Sequence, residues 1–312
     1  MHRSKLVLPG LTALALLALL AVPATASADL IFITNYIADT IGEYTTSGGV
    51  VNASLVTGLH QPRGIAVSGG DVFVANSGSG TIGEYTTSGA TVNASLVTIP
   101  NGYLSGIAVS GGDLFVTNSD NGTDVVSEYT TSGTLVNAAL VTGLDNPLGV
   151  ALSGAHLFVT NTISGTIGEY TTAGAAVNAS LVTGLGAPIS VAVSGGNIFV
   201  TNNSAHTIGE YTTSGATVNA SLVPNVNLPV AIAVSGGDLF VTIDDGSTVG
   251  EYTTSGAVVN ASLVTGLGTN GSFGIAVVPS PEPTTITLLG SALSLLAGFR
   301  LLRRRKMAKQ IV

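Results

Sequence analysis

The sequence predicts an all-β fold, a six-bladed β-propeller of four-stranded blades, and three observations carry that expectation. Tyr44, Tyr85, Tyr129, Tyr170, Tyr211 and Tyr252 recur at spacings of 41, 44, 41, 41 and 41 residues, each inside a version of T-I-G-E-Y-T-T-S-G. Each unit divides by glycine turns into four strand-length segments, rich in Val, Thr and Ile. The two ends of the array complement one another: it opens on a second-strand segment and closes on a first-strand segment. Four strands in about 41 residues is the length of one blade. A helical solenoid of similar period is excluded, because Gly, Thr and Val at these densities are poor helix formers.

The elements follow in chain order. Residues 1–28 read as a signal peptide: Arg3 and Lys5, an apolar run Leu6–Val22, then the small residues Ala26-Ser27-Ala28. Residues 29–278 are the propeller. In the unit that starts at Gly64 the expected strands are Ile65–Ser68, Val72–Asn76, Thr81–Thr87 and about Val92–Thr98. Gly69-Gly70 turns between the first two and Ser88-Gly89 between the last two. The opening Asp29-Leu30-Ile31-Phe32-Ile33 lacks a first strand, and the closing Gly274-Ile275-Ala276-Val277-Val278 is a first strand with nothing after it. Five complete units and one shared by the termini make six blades, and such closure leaves no open end to the ring. Residues 279–283 form a linker ending in Pro281-Glu282-Pro283. Residues 284–302 are expected to be a transmembrane helix, and 303–312 a basic tail that stays cytoplasmic.

Composition narrows the function classes. The chain of 312 residues has no Cys and no Trp, 41 Gly and only 8% charged residues. Absence of Cys excludes disulfides and thiolate chemistry. Eight of the nine Lys and Arg lie in the two ends, which leaves Arg63 as the one cation between residues 29 and 278. Sixteen acids share that stretch, so the body carries a formal charge near −15 with His neutral. Nucleic acid and anionic membrane surfaces are poor partners for it. The membrane contact expected of this chain is the C-terminal helix.

Two stretches carry family resemblances. Pro281-Glu282-Pro283, the hydrophobic segment and the cluster Arg303, Arg304, Arg305 and Lys306 resemble the PEP-CTERM sorting signal of Gram-negative bacteria. That resemblance implies recognition by a membrane-embedded exosortase. It also implies an inner-membrane-anchored precursor whose propeller ends at the cell surface or in the extracellular matrix, in bacteria that make exopolysaccharide. A plain C-terminal anchor predicts the same topology. The repeat G-I-A-V-S-G-G-D-L-F-V-T-N resembles NHL-type and related six-bladed propellers over nearly all of residues 29–278. It departs from them at Ser68, Ser110, Ser153, Ser194 and Ser235, where those families commonly carry an acid. The fold hosts binding modules and enzymes alike.

Candidate site residues are expected on one face of the disc. The turns between first and second and between third and fourth strands share one face, and there the sequence is monotonous. The other connections share the opposite face, where loops such as Gly58–Arg63, Ile99–Ser105 and Gly143–Leu148 differ. Recognition is expected there, since binding residues favour variable loops on a rigid scaffold. Drift in unconstrained loops would give the same variation. Arg63, beside His60 in one such loop, is suited to a carboxylate such as a uronic acid, or to a neighbouring acid of the chain. Asn35, Asn76, Asn118, Asn161 and Asn202 end the second strands on that face; their amides suit sugar hydroxyls or a capping role. Asp120 and Asp124, or Asp244 and Asp245, offer hard oxygens to calcium without an established loop spacing. Glu43, Glu84, Glu128, Glu169, Glu210 and Glu251 occur once per blade, which argues for a structural partner, a hydroxyl or amide between blades. The sequons at Asn52, Asn93, Asn178, Asn219 and Asn260 follow the repeat period and read as turn residues.

Enzymatic machinery is not expected. Calcium-dependent lactonases of this fold hold a central metal with Glu, Asp and Asn, whereas the channel strands here read I-A-V-S and V-A-V-S. His60, His156 and His206 have no metal-ligand spacing, and no G-x-S-x-G elbow is present. The expectation is a non-enzymatic exported surface or matrix protein, without a cofactor, that binds exopolysaccharide or a surface protein through one face. A lactonase- or lyase-like enzyme is the sharpest alternative, and a spacer without a specific ligand is another.

Overall fold

The computed structural model describes residues 29–119, 123–244, 247–267 and 272–279. They form six antiparallel four-stranded sheets, twenty-four strands in all. Blade II is representative: Pro62–Ser68, Asp71–Asn76, Thr81–Thr86 and Thr91–Thr98, hydrogen-bonded in that order. Blades III, IV, V and VI begin at Leu104, Pro147, Pro188 and Pro229. Blade I is built from both ends: Ser272–Val278 pairs antiparallel with Leu30–Asn35, with Leu30 opposite Val278. The segments 1–28 and 284–312, and with them the expected signal peptide, helix and tail, lie outside the described residues. Among the described residues no helix is long and apolar enough to cross a membrane.

The first strand of each blade lines the central tunnel and begins about three residues earlier than the apolar pattern indicates. In blade II the pairing starts at Pro62 opposite Asn76, and a bulge separates it from Ile65 opposite Val74. Bulges of this kind bend a strand and interrupt its ladder, which is why Arg63 and Gly64 break the apolar alternation.

Second strands are buried on both faces, so they read as continuous apolar runs such as Val72-Phe73-Val74. Phe73 packs with Leu114, Val116 and Tyr129 of blade III, while Val72 and Val74 pack with Phe32 and Ile41 of blade I. Each of the six core clusters therefore spans a junction between blades. The repeated Tyr belongs to these clusters and lies over the glycine two residues before it. A Cβ at Gly83 would sit 2.7 Å from the Tyr85 hydroxyl and 2.8 Å from its ring, so G-x-Y is one unit of packing. Blade III has Ser127 at this position, and its hydroxyl donates to the Ala138 carbonyl at 2.7 Å.

Junctions are also fastened by hydroxyls at the tunnel wall. Thr117 Oγ1 accepts from the Gly106 N–H at 2.7 Å and donates to the Leu148 carbonyl of the next blade at 2.9 Å. Thr160 does the same with Gly149 and Ile189, at 2.8 and 3.0 Å, and Thr201 with Ser190 and Val230, at 3.0 and 2.8 Å. Thr34 bridges Gly274 and Arg63 at 2.7 and 2.6 Å. Thr242 accepts from Ala231 at 2.8 Å. Blade II has Ala75 at this place, fully buried and without a hydroxyl to offer.

Outer strands are exposed over five consecutive residues, as in Thr91–Ser95. The Asn of each sequon lies here, in a bulge: Asn93 Oδ1 accepts from the Ser95 N–H at 3.1 Å. The turn expected at the sequon is thus an Asx turn inside the edge strand, and the bulge disrupts an edge that would otherwise template another strand.

Candidate functional site

Repetition supplies a scaffold, so a site shows itself where six copies stop matching. The largest departure is at the tunnel mouth on the variable face. The position after the end of each second strand is Tyr36, Ser77, Ser119, Thr162, Asn203 and Asp244, blade by blade. The position before the wall glycine or its equivalent is Arg63, Ser105, Leu148, Ile189 and Val230 in blades II to VI. Of the first set Asn203 and Asp244, and all five of the second, line a cavity of about 320 Å³, whose wall also includes Ser190. The same wall includes one branched aliphatic residue from each blade: Ile65, Ile107, Val150, Val191, Ile232 and Ile275.

Arg63 is held from three blades. Its guanidinium carbon lies 5.0 Å from the Tyr36 ring centroid, from blade I, and 4.6 Å from that of Tyr103, at the entry to blade III. Its Nε donates to the Ser77 hydroxyl at 3.1 Å, and Ser77 in turn donates to the Gln61 carbonyl at 3.1 Å. The Arg63 carbonyl receives the Thr34 hydroxyl, which fixes the backbone beneath. Of the eight tyrosines in the chain, six belong to the repeat. The other two are Tyr36 and Tyr103, and both lie against the lone cation of the body. Tyr103 remains 39% exposed.

The other expected site residues fall elsewhere. His60 is exposed and its N–H points to Asn76 Oδ1 at 3.4 Å; it is not part of the cavity wall. Asn76, Asn118, Asn161 and Asn202 are buried. Asn161 Oδ1 accepts from the Asp145 N–H at 3.1 Å and its Nδ2 donates to Thr166 Oγ1 at 3.3 Å, stitching an entry loop to the third strand. Asn76 and Asn202 donate likewise to Thr81 and Thr207. Asn35 donates to the Leu267 carbonyl and accepts from the Ala38 N–H. These amides serve the loops that form the mouth, and the cavity itself is lined by other groups. Asp244 reaches the cavity; Asp120 and Asp245 lie outside the described residues, and Asp124 is half-buried away from the mouth. Among the described residues no group of three or more His, Asp or Glu side chains is placed to hold a metal.

The repeated glutamates lie toward the opposite, monotonous face, and their partners sit within the blade, two residue pairs along the ladder. Glu210 accepts from Asn197 Nδ2 at 2.7 Å, and Glu169 Oε1 lies 2.9 Å from His156 Nδ1. In blades II, III and VI the corresponding neighbour is an acid. Burial raises Glu84, Glu128 and Glu251 above the ordinary carboxylate range, and Asp71, Asp113 and Asp238 raise them further. Glu43 is raised by burial alone.

Tyr36 and Tyr103 were missed by reading the sequence for its period. Aligning the six units would have exposed Tyr36, which interrupts a column of small polar residues; Tyr103 stands in a column of Gln61, Asn146, Ala187 and Leu228 and is marked only as its one aromatic.

Comparison by sequence finds no matching family model and no matching curated relative. Solved structures are similar in fold. A chain of a nidogen/laminin complex matches with a TM-score of 0.69 at 15% identity, over 81% of this chain and 99% of that one. A protein of unknown function from Bacteroides caccae matches with a TM-score of 0.63 at 14% identity, over 81% and 99%. Virginiamycin B lyase from Staphylococcus aureus matches with a TM-score of 0.55 at 20% identity, over 70% and 76%. One of these is a chain from a protein complex and another is an enzyme, so what they share with this chain is the six-bladed, four-stranded architecture.

Proposed function

We propose that the chain is an exported, non-enzymatic binding propeller that takes its ligand, on exopolysaccharide or a surface protein, at the face around Arg63. The observation that carries this reading is the convergence of Tyr36, from blade I, and Tyr103, from the entry to blade III, on Arg63, which lines the tunnel cavity. Repeats copy structural residues, whereas these three occur once each. Export and sorting rest on the two ends: a signal peptide at 1–28, and a PEP-CTERM-like segment from Pro281 to Lys306 that would be read by an exosortase and leave the body at the surface or in the matrix. Against an enzyme stands the wall itself. Among the described residues it offers one acid, Asp244, and no histidine. The virginiamycin B lyase studied with quinupristin is inactivated by a histidine-to-alanine change.

The test is retention of the exported protein on the producing cell's own exopolysaccharide, with loops replaced one face at a time. Retention lost only when the Arg63 face is altered supports the reading, and retention indifferent to that face refutes it. Turnover of a lactone or of quinupristin by the purified protein would refute its non-enzymatic part. Sorting is checked separately by mass spectrometry of the C-terminus in cells with and without an exosortase.

A further inference from the structure

The circumference of the disc carries a motif that its structural role only half explains. We propose that the body is N-glycosylated there, at Asn52, Asn93, Asn178, Asn219 and Asn260. Each opens an Asn-Ala-Ser triplet in an outer strand, and all three residues of each triplet are exposed. Asn-x-Ser is the acceptor triplet for N-linked sugar. In all five the Asn Oδ1 accepts from the Ser N–H at 3.1 Å. That turn accounts for the Asn, and it fixes which end of the amide is nitrogen. It does not account for the Ser. Blade III keeps the turn without one, since the Ala139 N–H donates to Asn137 Oδ1 at 3.0 Å. Among the described residues the hydroxyls of Ser54, Ser95, Ser180, Ser221 and Ser262 make no hydrogen bond, and neither do the five amide nitrogens. Five blades thus keep a hydroxyl that the fold does not use, two residues after a free amide nitrogen. Access agrees, because a bulky group added to an exposed outer strand meets solvent. Val51, Val92, Val177, Val218 and Val259, each beside one of these Asn, are 51–53% exposed, and attached sugar would cover them. Asn202-Asn203-Ser204 has the triplet too, but Asn202 is buried and its Nδ2 donates to Thr207 Oγ1 at 3.4 Å, so in the folded chain it is no acceptor. The chemistry is a substitution. The Asn Nδ2 bonds to the anomeric carbon of a sugar activated as its diphosphate ester. The bond from that carbon to the diphosphate oxygen breaks, its electron pair stays on the oxygen, and one amide proton passes to a base of the transferase.

The experiment is peptide mapping, by mass spectrometry, of the exported protein recovered from the producing cell. Cleavage after Glu43, Glu84, Glu128, Glu169, Glu210 and Glu251 gives peptides with one outer-strand Asn each, and fragmentation locates the sugar. Sugar is expected on Asn52, Asn93, Asn178, Asn219 and Asn260, with Asn137 and Asn202 bare. Two variants separate the triplet from the turn. Ser95→Ala should abolish modification of Asn93 with the β-sheet circular dichroism of the parent retained, because the turn at Ala139 survives without a hydroxyl. Ala139→Ser should create a new modified site at Asn137. Five bare Asn in the parent, sugar on its Asn137, sugar that stays on Asn93 in Ser95→Ala, or a bare Asn137 in Ala139→Ser would each overturn the proposal. None of these results bears on the Arg63 face, whose reading stands or falls on retention.

Discussion

The missing hydroxyl at Ala75 gives the most direct test of how the ring is held. In blades I, III, IV and V the equivalent Thr accepts from a wall N–H of its own blade at 2.7–3.0 Å and donates to a carbonyl of the next at 2.6–3.0 Å. At the junction of blades II and III the corresponding groups are the Gly64 N–H and the Ser105 carbonyl, and no side-chain hydroxyl lies between them. Ala75→Thr should supply it. Space is indicated by the matching junction of blades I and II, where the wall approaches as closely and Thr34 is fully buried. Two neutral hydrogen bonds contribute about 0.5–1.5 kcal/mol each, less the cost of ordering a hydroxyl, so a net gain of about 1 kcal/mol is expected. In a body of this size that raises Tm by roughly 2–4 °C. The reverse change, Thr117→Val, keeps shape and leaves the Gly106 N–H and Leu148 carbonyl without their hydroxyl, at a cost of about 1–3 kcal/mol. Calorimetry on the exported protein, supported by urea unfolding, reads both. An Ala75→Thr protein that melts at or below the parent temperature, with Thr117→Val unchanged, would refute the role given to these hydroxyls.

Three further outcomes follow from the structure. Gly83→Ala pushes a methyl into the Tyr85 ring and should destabilise by about 1–3 kcal/mol. The same change beside Tyr85→Leu should cost less than the sum of the two single changes, as a double-mutant cycle would show. Glu84, Glu128 and Glu251 have folded pKa values raised above the unfolded value, so their contribution is most favourable when protonated and is lost as pH rises through the folded pKa. Replacing Asp71, Asp113 and Asp238 together by Asn removes the neighbouring charges, and urea midpoints should then fall less steeply from about pH 4 to pH 7. A chain ending at Leu267 lacks the strand that pairs with Leu30–Asn35 and should lose protease resistance and aggregate, visible by limited proteolysis and light scattering.

The architecture was legible because a propeller writes itself six times. The spacing of Tyr44 through Tyr252 measures the blade, and the incomplete units at Leu30 and Val278 predict the closure that pairs them. What the period hides is whatever does not repeat. Tyr36 and Tyr103 sit in loops without pattern, and only folding brings them beside Arg63, which the sequence singles out by charge alone. The amide ring misleads in the opposite sense. Periodicity makes Asn76 and Asn161 conspicuous, but a residue copied into nearly every blade answers to the blade's needs, and burial against Thr81 and Thr166 meets them. The bulge at Arg63 and Gly64 was likewise invisible, since nothing in P-R-G-I marks where a ladder slips.

Blade I is shared by the two ends of the body, and that has a consequence for how the disc is presented. Leu30 and Val278 are direct partners at the end of the blade that faces away from Arg63. Val278 therefore lies on the far side of the disc. A solid support coupled at Val278 would leave the Arg63 face open to the medium. Coupling through a loop of the Arg63 face, such as Gly143–Leu148, would turn that face toward the support, and capture of a ligand from solution should fall even with the blades intact.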